Sequence, residues 1–166
     1  MKRRLEDLVQ VLDPKGDLWY GGRKPLEAVA DLTAEQAAWV PSEGRPSIWG
    51  LVLHIAYWKY DVRRHLVGPD IEPFPRSPDD WPQPSATTAE QWQADRELLR
   101  HEHEALVDVV RSLEPADLDQ PKGSGRYTVY DLILGIVMHD TYHTGQIQQL
   151  VGLMRDAGES SAGESL

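Results

Sequence analysis

The 166-residue sequence contains no cysteine. This absence excludes disulfide bonds, thiolate metal ligands and a cysteine nucleophile, so any sulfur chemistry needs a thiol supplied by a co-substrate. The sequence also lacks an apolar run near the roughly 18 residues of a membrane span. Its N-terminus is too charged after the basic start to be a signal peptide. We therefore expect a soluble, cytoplasmic protein.

Basic residues are scarce, since 17 Lys and Arg stand against 27 Asp and Glu and give a formal net charge of −10. A nucleic-acid-binding surface needs a basic face that displaces counterions. Anionic membranes likewise attract basic segments. The composition therefore disfavours nucleic acid and membrane as partners, and the acidic surface is expected mainly to keep the protein soluble.

Four long segments carry apolar residues at helical spacing, with proline- and glycine-rich breaks between them. Ser47 is the expected N-cap of the second segment, and Thr87 or Thr88 is that of the third. Shorter helical turns are expected from Pro25 and, with a capping box, after Thr33. The four main helices are expected over residues 3–12, 48–67, 89–113 and 128–154.

No segment reads convincingly as a strand, so the predicted fold is an all-α four-helix bundle with an irregular N-terminal segment. A long proline-rich loop joins the second and third main helices, and loops of that length are often functional. Trp19, Trp39 and Trp81 lie near loops, where they either fill the core or cover the mouth of the bundle. We expect one domain over residues 1–154 and a disordered tail over residues 155–166.

Three histidines are the most informative residues of the sequence. His139 and His143 stand four apart, inside or beside the apolar stripe of the last helix, and His54 lies at the edge of the second helix's stripe. Neutral imidazole is the commonest metal ligand, and three imidazoles leave coordination positions open, as catalytic sites do. The pattern therefore favours a catalytic metal centre. Two alternatives stay open: a chance HxxxH pair, and a hydrogen bond from His54 to a backbone carbonyl.

Four further residues are candidates for the surroundings of the metal. Trp58 lies one turn beyond His54 and either walls the site or fills the core. His103 faces inward on the third main helix as a fourth ligand, a proton shuttle or, as we favour, a core histidine with satisfied hydrogen bonds. Asp140 has three candidate roles: it orients a ligand histidine, it is itself a ligand, or it has a structural role by pairing with a buried arginine or a helix N-terminus. We favour the orienting role or the structural role. Tyr142 is, with His103, a candidate for assisting proton transfer.

The sequence pairs the motif H-I-A-x-W, from His54 to Trp58, with the motif H-D-x-Y-H-x-G-Q-I, from His139 to Ile147. This pairing resembles the DinB/YfiT-like superfamily of bacterial metal-dependent four-helix-bundle proteins, and the likeness covers nearly the whole chain to about Met154. The resemblance implies an up-down-down-up order of helices and a homodimer. It also implies a zinc or nickel ion held by His54, His139 and His143.

The resemblance implies the reaction less directly than the metal. Characterised relatives include bacillithiol-dependent transferases and a mycothiol-dependent maleylpyruvate isomerase. We therefore expect a transferase that uses a low-molecular-weight thiol on small electrophilic substrates, and we assign no catalytic residue. A hydrolase with metal-bound hydroxide and a non-enzymatic metal-binding stress protein are the alternatives.

Overall fold

A computed structural model describes residues 2–15, 23–122 and 125–163 of the chain. Trp19, which the sequence places in a loop, lies outside the described residues. The described part of the chain is mostly helical, as expected. Its helices are α1 (Lys2–Leu12), α2 (Pro25–Ala28), α3 (Ala34–Ala38), α4 (Ile48–Val67), α5 (Ala89–Ser112) and α6 (Val129–Gly163).

Side-chain caps begin three of these helices. The hydroxyl of Ser47 accepts a hydrogen bond from a backbone N–H in the first turn of α4, and that of Thr88, rather than Thr87, does the same at α5. Thr33 and Gln36 form the expected capping box at α3. These bonds satisfy backbone donors that have no partner within the helix. The helix starts that the sequence predicts from these caps are therefore confirmed.

Contacts between α4 and α5 show that the two helices run in parallel. Near their starts, the indole of Trp49 donates to Asp95, and further along both helices Arg63 pairs with Glu102. Helices joined directly by a short turn are antiparallel neighbours, so the parallel arrangement needs the long loop of residues 68–88 to return the chain.

The other two main helices, α1 and α6, are antiparallel to α4 and α5. Along α4, His54 faces His143 and Lys59 pairs with Asp140, so α6 is antiparallel to α4.

Arg4, near the start of α1, stacks over Tyr130 at the start of α6. Arg4 also pairs with Asp119, just after α5, whereas Asp13, at the other end of α1, pairs with Arg111 of α5, so α1 is antiparallel to α5. The bundle therefore has the up-down-down-up order that the resemblance implies.

Buried apolar side chains form two clusters along the bundle axis. One lies where α2 and α3 pack on the first half of α4 and the second half of α6. The other joins α1 to the second half of α4 and the first half of α6. A layer of buried polar side chains lies at the boundary between these clusters: His54, Lys59, Asp140, His143 and Thr144. This layer, at mid-height in the bundle, contains the candidate site.

The structure differs from the sequence-based expectation at two places. A short hairpin of β1 (Pro121–Lys122) and β2 (Tyr127–Thr128) precedes α6, although no strand was expected. Two residues per strand are too few for an alternating pattern to be visible. Helix α6 also continues past Met154 to Gly163, so the predicted end was too early. The division into a domain and a disordered tail stays a prediction.

Candidate metal centre

Helices α4 and α6 bring the three predicted histidines together. The first half of α4 is apolar nearly all round and is buried, so His54 is only 5% exposed. His139 and His143 lie on consecutive turns of α6, and His143 is only 6% exposed. Because α4 and α6 are antiparallel and cross at this height, their imidazoles meet inside the bundle.

The ring nitrogens have a spacing that suits one cation. One ligand nitrogen from each of His54, His139 and His143 lies within 4.8 Å of the others. The Nε2 atoms of His54 and His139 are 3.1 Å apart. Two nitrogen ligands of a tetrahedral zinc ion lie about 3.4 Å apart, given bonds of 2.0–2.1 Å. In the part of the chain that the structure describes, no other group of three candidate ligands is found.

Hydrogen bonds fix the tautomers of two of the rings. Nδ1 of His54 lies 2.5 Å from the carbonyl oxygen of Asp80, which can only accept, so Nδ1 carries the proton. Nδ1 of His143 donates in the same way to Oε1 of Gln146, at 2.7 Å. Both Nε2 atoms are therefore left with a free lone pair, which is what a metal requires. The carbonyl bond that the sequence offered as an alternative role for His54 thus supports the ligand role.

Burial keeps all three rings neutral at pH 7. It lowers the pKa of His54 and of His143 below the ordinary value of 6.5. The pKa of His139 falls to about 3, first because of burial and then because of the two neighbouring histidines. Neutral imidazole is the form that binds a metal, so a cation does not have to displace a proton from these rings near pH 7.

Asp140 pairs with the buried Nζ of Lys59. The sequence suggested pairing with a buried arginine, so the kind of interaction was right and the partner was wrong. Burial raises the pKa of Asp140, and Lys59 opposes this by favouring the carboxylate. Asp140 does not belong to the ligand group, which leaves the direct-ligand interpretation unsupported.

His103 lies away from the three-histidine cluster. Its Nε2 is 3.9 Å from a carboxylate oxygen of Asp13, and the ring lines a separate cavity beside Lys59. The fourth-ligand interpretation is therefore unsupported. Burial, followed by the charge of Lys59, lowers the pKa of His103 to about 4.

This low pKa makes His103 a source of acid sensitivity. Between pH 6.5 and about 4 the unfolded chain binds a proton at this ring and the folded chain does not, so stability falls as the pH falls. The free energy of unfolding of metal-free protein should fall between pH 7 and pH 4, and this fall should be smaller by roughly 2–3 kcal/mol in His103→Gln than in wild type. Urea titrations at several pH values measure this. His101→Gln, at an exposed position on the same helix, is the matched control, and identical pH profiles for wild type and His103→Gln would refute the prediction.

Aromatic side chains surround the cluster. The ring centroid of Trp58 lies 6.0 Å from that of His139, and its indole N–H donates to Asp80 at 2.7 Å. Trp81 stacks on His54 with ring centroids 3.9 Å apart and planes inclined by 13°. Tyr142 is 63% exposed, next to His143 at the rim of the site. Two of the predicted neighbours, Trp58 and Tyr142, therefore lie beside the cluster.

Sequence reasoning missed two residues of this site. Lys59 was overlooked, although a lysine in the buried stretch IAYWKYDV needs an anion and so carried a usable signal. Asp80 had no such signal, because it comes from the long loop and reaches His54 through its backbone carbonyl. Any residue type has a carbonyl, so the sequence could not identify this contact.

A groove of about 330 Å³ lies along α4 and α6 and ends at His139. We refer to it as the α4–α6 groove. Its apolar lining consists of Trp58, Val62, Tyr127, Leu132, Gly135 and Ile136. Asp131 is the charged side chain that lines it, and its carboxylate accepts hydrogen bonds from the backbone and hydroxyl of Thr128.

Fold and site together define an all-α bundle whose buried three-histidine cluster is compatible with metal binding. None of the helices that the structure describes is long and apolar enough to cross a membrane. The chain belongs to the DinB superfamily, whose family model matches residues 22–147. Comparisons with curated proteins and with solved structures give no match.

Proposed function

We propose that this protein is a metal-dependent enzyme that transfers a low-molecular-weight thiol to small electrophilic substrates. The observation that carries the proposal is the convergence of three neutral imidazoles, those of His54, His139 and His143, with two Nε2 lone pairs freed by hydrogen bonds at Nδ1. Three protein ligands leave coordination positions for a co-substrate. Zinc or nickel is the cation that we propose, since both accept imidazole nitrogen.

The donor set fits a divalent cation. One ring nitrogen from each of the three histidines lies within 4.8 Å of the others, and neutral imidazole nitrogen is a common ligand of divalent zinc and nickel. A cation bound by neutral ligands keeps its full charge and, when present, lowers the pKa of a coordinated thiol. The chain itself has no cysteine, so in this proposal the sulfur comes from the co-substrate.

The α4–α6 groove supports a neutral, apolar substrate. The carboxylate of Asp131 disfavours anions there, and the described lining includes no lysine or arginine. We favour Tyr142 over His103 as the candidate for proton transfer, because Tyr142 lies next to His143 whereas His103 lies beside Asp13. No side chain is assigned as catalytic.

The test is a thiol-transfer assay with protein loaded with zinc or nickel. With 1-chloro-2,4-dinitrobenzene, the thiolate sulfur forms a bond to the ring carbon and chloride leaves with its bonding electrons. We expect a rate that depends on thiol and metal, and that falls to background with a chelator or in His143→Ala. A rate equal to that of His143→Ala across a panel of thiols and electrophiles would contradict the proposal, as would turnover without thiol, which would indicate a hydrolase.

A non-enzymatic metal-binding protein is the second candidate, and one observation favours it. Trp81 stacks on His54, and both His54 and His143 are almost fully buried, so the cluster is well covered. Absence of an exchangeable water ligand in the spectrum of a cobalt-substituted protein would favour this candidate, including a role in stress. An exchangeable ligand would favour the enzyme.

We also propose that the protein acts as a cytoplasmic homodimer. A free thiol co-substrate is kept reduced in the cytosol. The exposed face of α6 carries Met138 and Tyr142, which are 65% and 63% exposed and offer apolar area to a second copy. Light scattering at micromolar concentration should give twice the mass of one chain, and a single-chain mass would contradict this arrangement.

A further inference from the structure

The loop between α4 and α5 contacts the candidate metal centre through Trp81, which stacks on His54, and through Asp80. The backbone carbonyl of Asp80 accepts the Nδ1 proton of His54 at 2.5 Å, and its carboxylate accepts the indole N–H of Trp58 at 2.7 Å. Trp58 is one helical turn from His54 on α4. The side chain of Asp80 therefore anchors the loop to the same helix whose histidine its backbone orients.

We infer that Asp80 and Trp58 form a clamp that positions His54 for the metal, so that a loop residue outside the ligand set determines metal affinity. This inference rests on the proposed metal centre. The clamp consists of three groups: the indole N–H of Trp58, and the carboxylate and carbonyl of Asp80. Neither residue touches the cation in this arrangement, so both are positioning residues.

The clamp controls which nitrogen of His54 is available. A carbonyl at Nδ1 holds the proton there and leaves Nε2 as the lone-pair donor, 3.1 Å from Nε2 of His139. Without the carbonyl, His54 exchanges between both tautomers and its ring rotates more freely. Partners of this kind, bound to the far nitrogen of a ligand histidine, typically contribute a factor of about 10–100 to metal affinity.

The backbone of Asp80 shows that this loop conformation needs an anchor. Its φ is +68°, in the left-handed region that residues other than glycine adopt at a cost, although Asp and Asn tolerate it best. Such a conformation persists where surrounding contacts determine it. The indole of Trp58 is one such contact, and Trp81, which follows Asp80 in the chain, stacks on the His54 ring as another.

These features predict an ordered series of variants. Asp80→Asn keeps an acceptor for the indole and tolerates the positive φ, so its zinc affinity should stay within about 3-fold of wild type. Asp80→Gly keeps the backbone conformation but loses the acceptor, and Trp58→Phe loses the donor. Each should weaken zinc binding about 10-fold, and the double variant should be no weaker than either one. Asp80→Ala loses both features and should be weakest.

The experiment combines zinc titration with nitrogen NMR of the histidine rings in metal-free protein. Wild type and Asp80→Asn should show His54 protonated at Nδ1, and Trp58→Phe and Asp80→Gly should show a mixture of tautomers. Trp39→Phe, at a half-buried tryptophan packed on the core cluster that contains α3, is the matched control and should change neither readout. Thermal unfolding of each variant confirms that the compared proteins are folded.

The outcomes separate this inference from the proposed function. If wild-type protein binds zinc, and Trp58→Phe and Asp80→Gly bind it with affinities within about 2-fold of the wild-type value, the clamp is overturned and the metal centre stays intact. A His54 ring protonated at Nε2 in wild type would also overturn it. If wild-type protein binds neither zinc nor nickel, the proposed function fails together with the predicted affinity series. In that case the tautomer measurement in metal-free protein still decides whether Asp80 orients His54.

Discussion

Replacing His143 with alanine is expected to weaken zinc or nickel binding by more than about 100-fold. Loss of a hydrogen-bond partner of a ligand histidine costs up to about 100-fold in metal affinity, and loss of the ligand itself should cost more. His143 is buried, and its Nε2 is freed for the metal by the bond from Nδ1 to Gln146. Alanine removes one of the three converging nitrogens, and no other histidine stands close enough to replace it in the described part of the chain. Isothermal titration or competition with a chromogenic chelator measures the loss.

The matched control for this variant is His101→Ala. His101 is an exposed histidine on α5, so its removal deletes an imidazole without touching the site. We expect unchanged affinity, and circular dichroism should show the same helix content in both variants. Equal affinity in wild type and His143→Ala would mean that the metal binds elsewhere or is held by other groups.

Replacing Lys59 with methionine is expected to lower the free energy of unfolding by about 3–5 kcal/mol. Lys59 and Asp140 are 1% and 3% exposed, and each is the buried partner of the other. Methionine has a similar length but no charge, so it leaves the Asp140 carboxylate buried without a cation. Oδ1 of Asp140 already lacks a hydrogen bond within the described residues, which leaves little to compensate the loss. Urea unfolding of metal-free protein measures the change.

Two controls make this result specific. The double variant Lys59→Met with Asp140→Leu removes both charges and should recover most of the lost stability, because no charged group then has to be buried without a partner. Arg100→Ala breaks an exposed ion pair with Glu104 and should leave the free energy of unfolding nearly unchanged. A loss below about 1 kcal/mol in Lys59→Met would contradict the prediction, because it would show that the buried carboxylate of Asp140 does not depend on Lys59.

The fold could be predicted because its signals are local. The hydroxyls of Ser47 and Thr88 act within one turn of their own helices, and the apolar stripes of α4 and α6 repeat at helical spacing. The end of α6 was predicted less well. The residues after Met154 lose the apolar stripe but contain no proline, which would end a helix, and the helix continues to Gly163.

The candidate site could be predicted only where helices supply its residues. Spacing indicated that His139 and His143 share a face, and the apolar pattern of α4 placed His54 at the edge of its buried stripe. That these faces meet depends on the antiparallel packing of α4 and α6, which only the motif resemblance suggested in advance. Asp140 was correctly expected to need a partner, but the choice of Lys59 depends on packing between helices that no sequence pattern reports.

The contact from Asp80 was unpredictable for a different reason. It depends on the path of the loop of residues 68–88, which no period or cap encodes. The bond to His54 uses a backbone carbonyl, and the bond to Trp58 uses one of several carboxylates in the loop. Only the three-dimensional path of the loop identifies which of them reaches the histidine.

Anomalous diffraction from a crystal grown with zinc or nickel tests the central claim most directly. We expect one strong peak bonded to Nε2 of His54, His139 and His143, with the Nδ1 bonds to Asp80 and Gln146 retained. Rings of these three histidines turned away from one another, with no peak among them, would contradict the proposed metal centre.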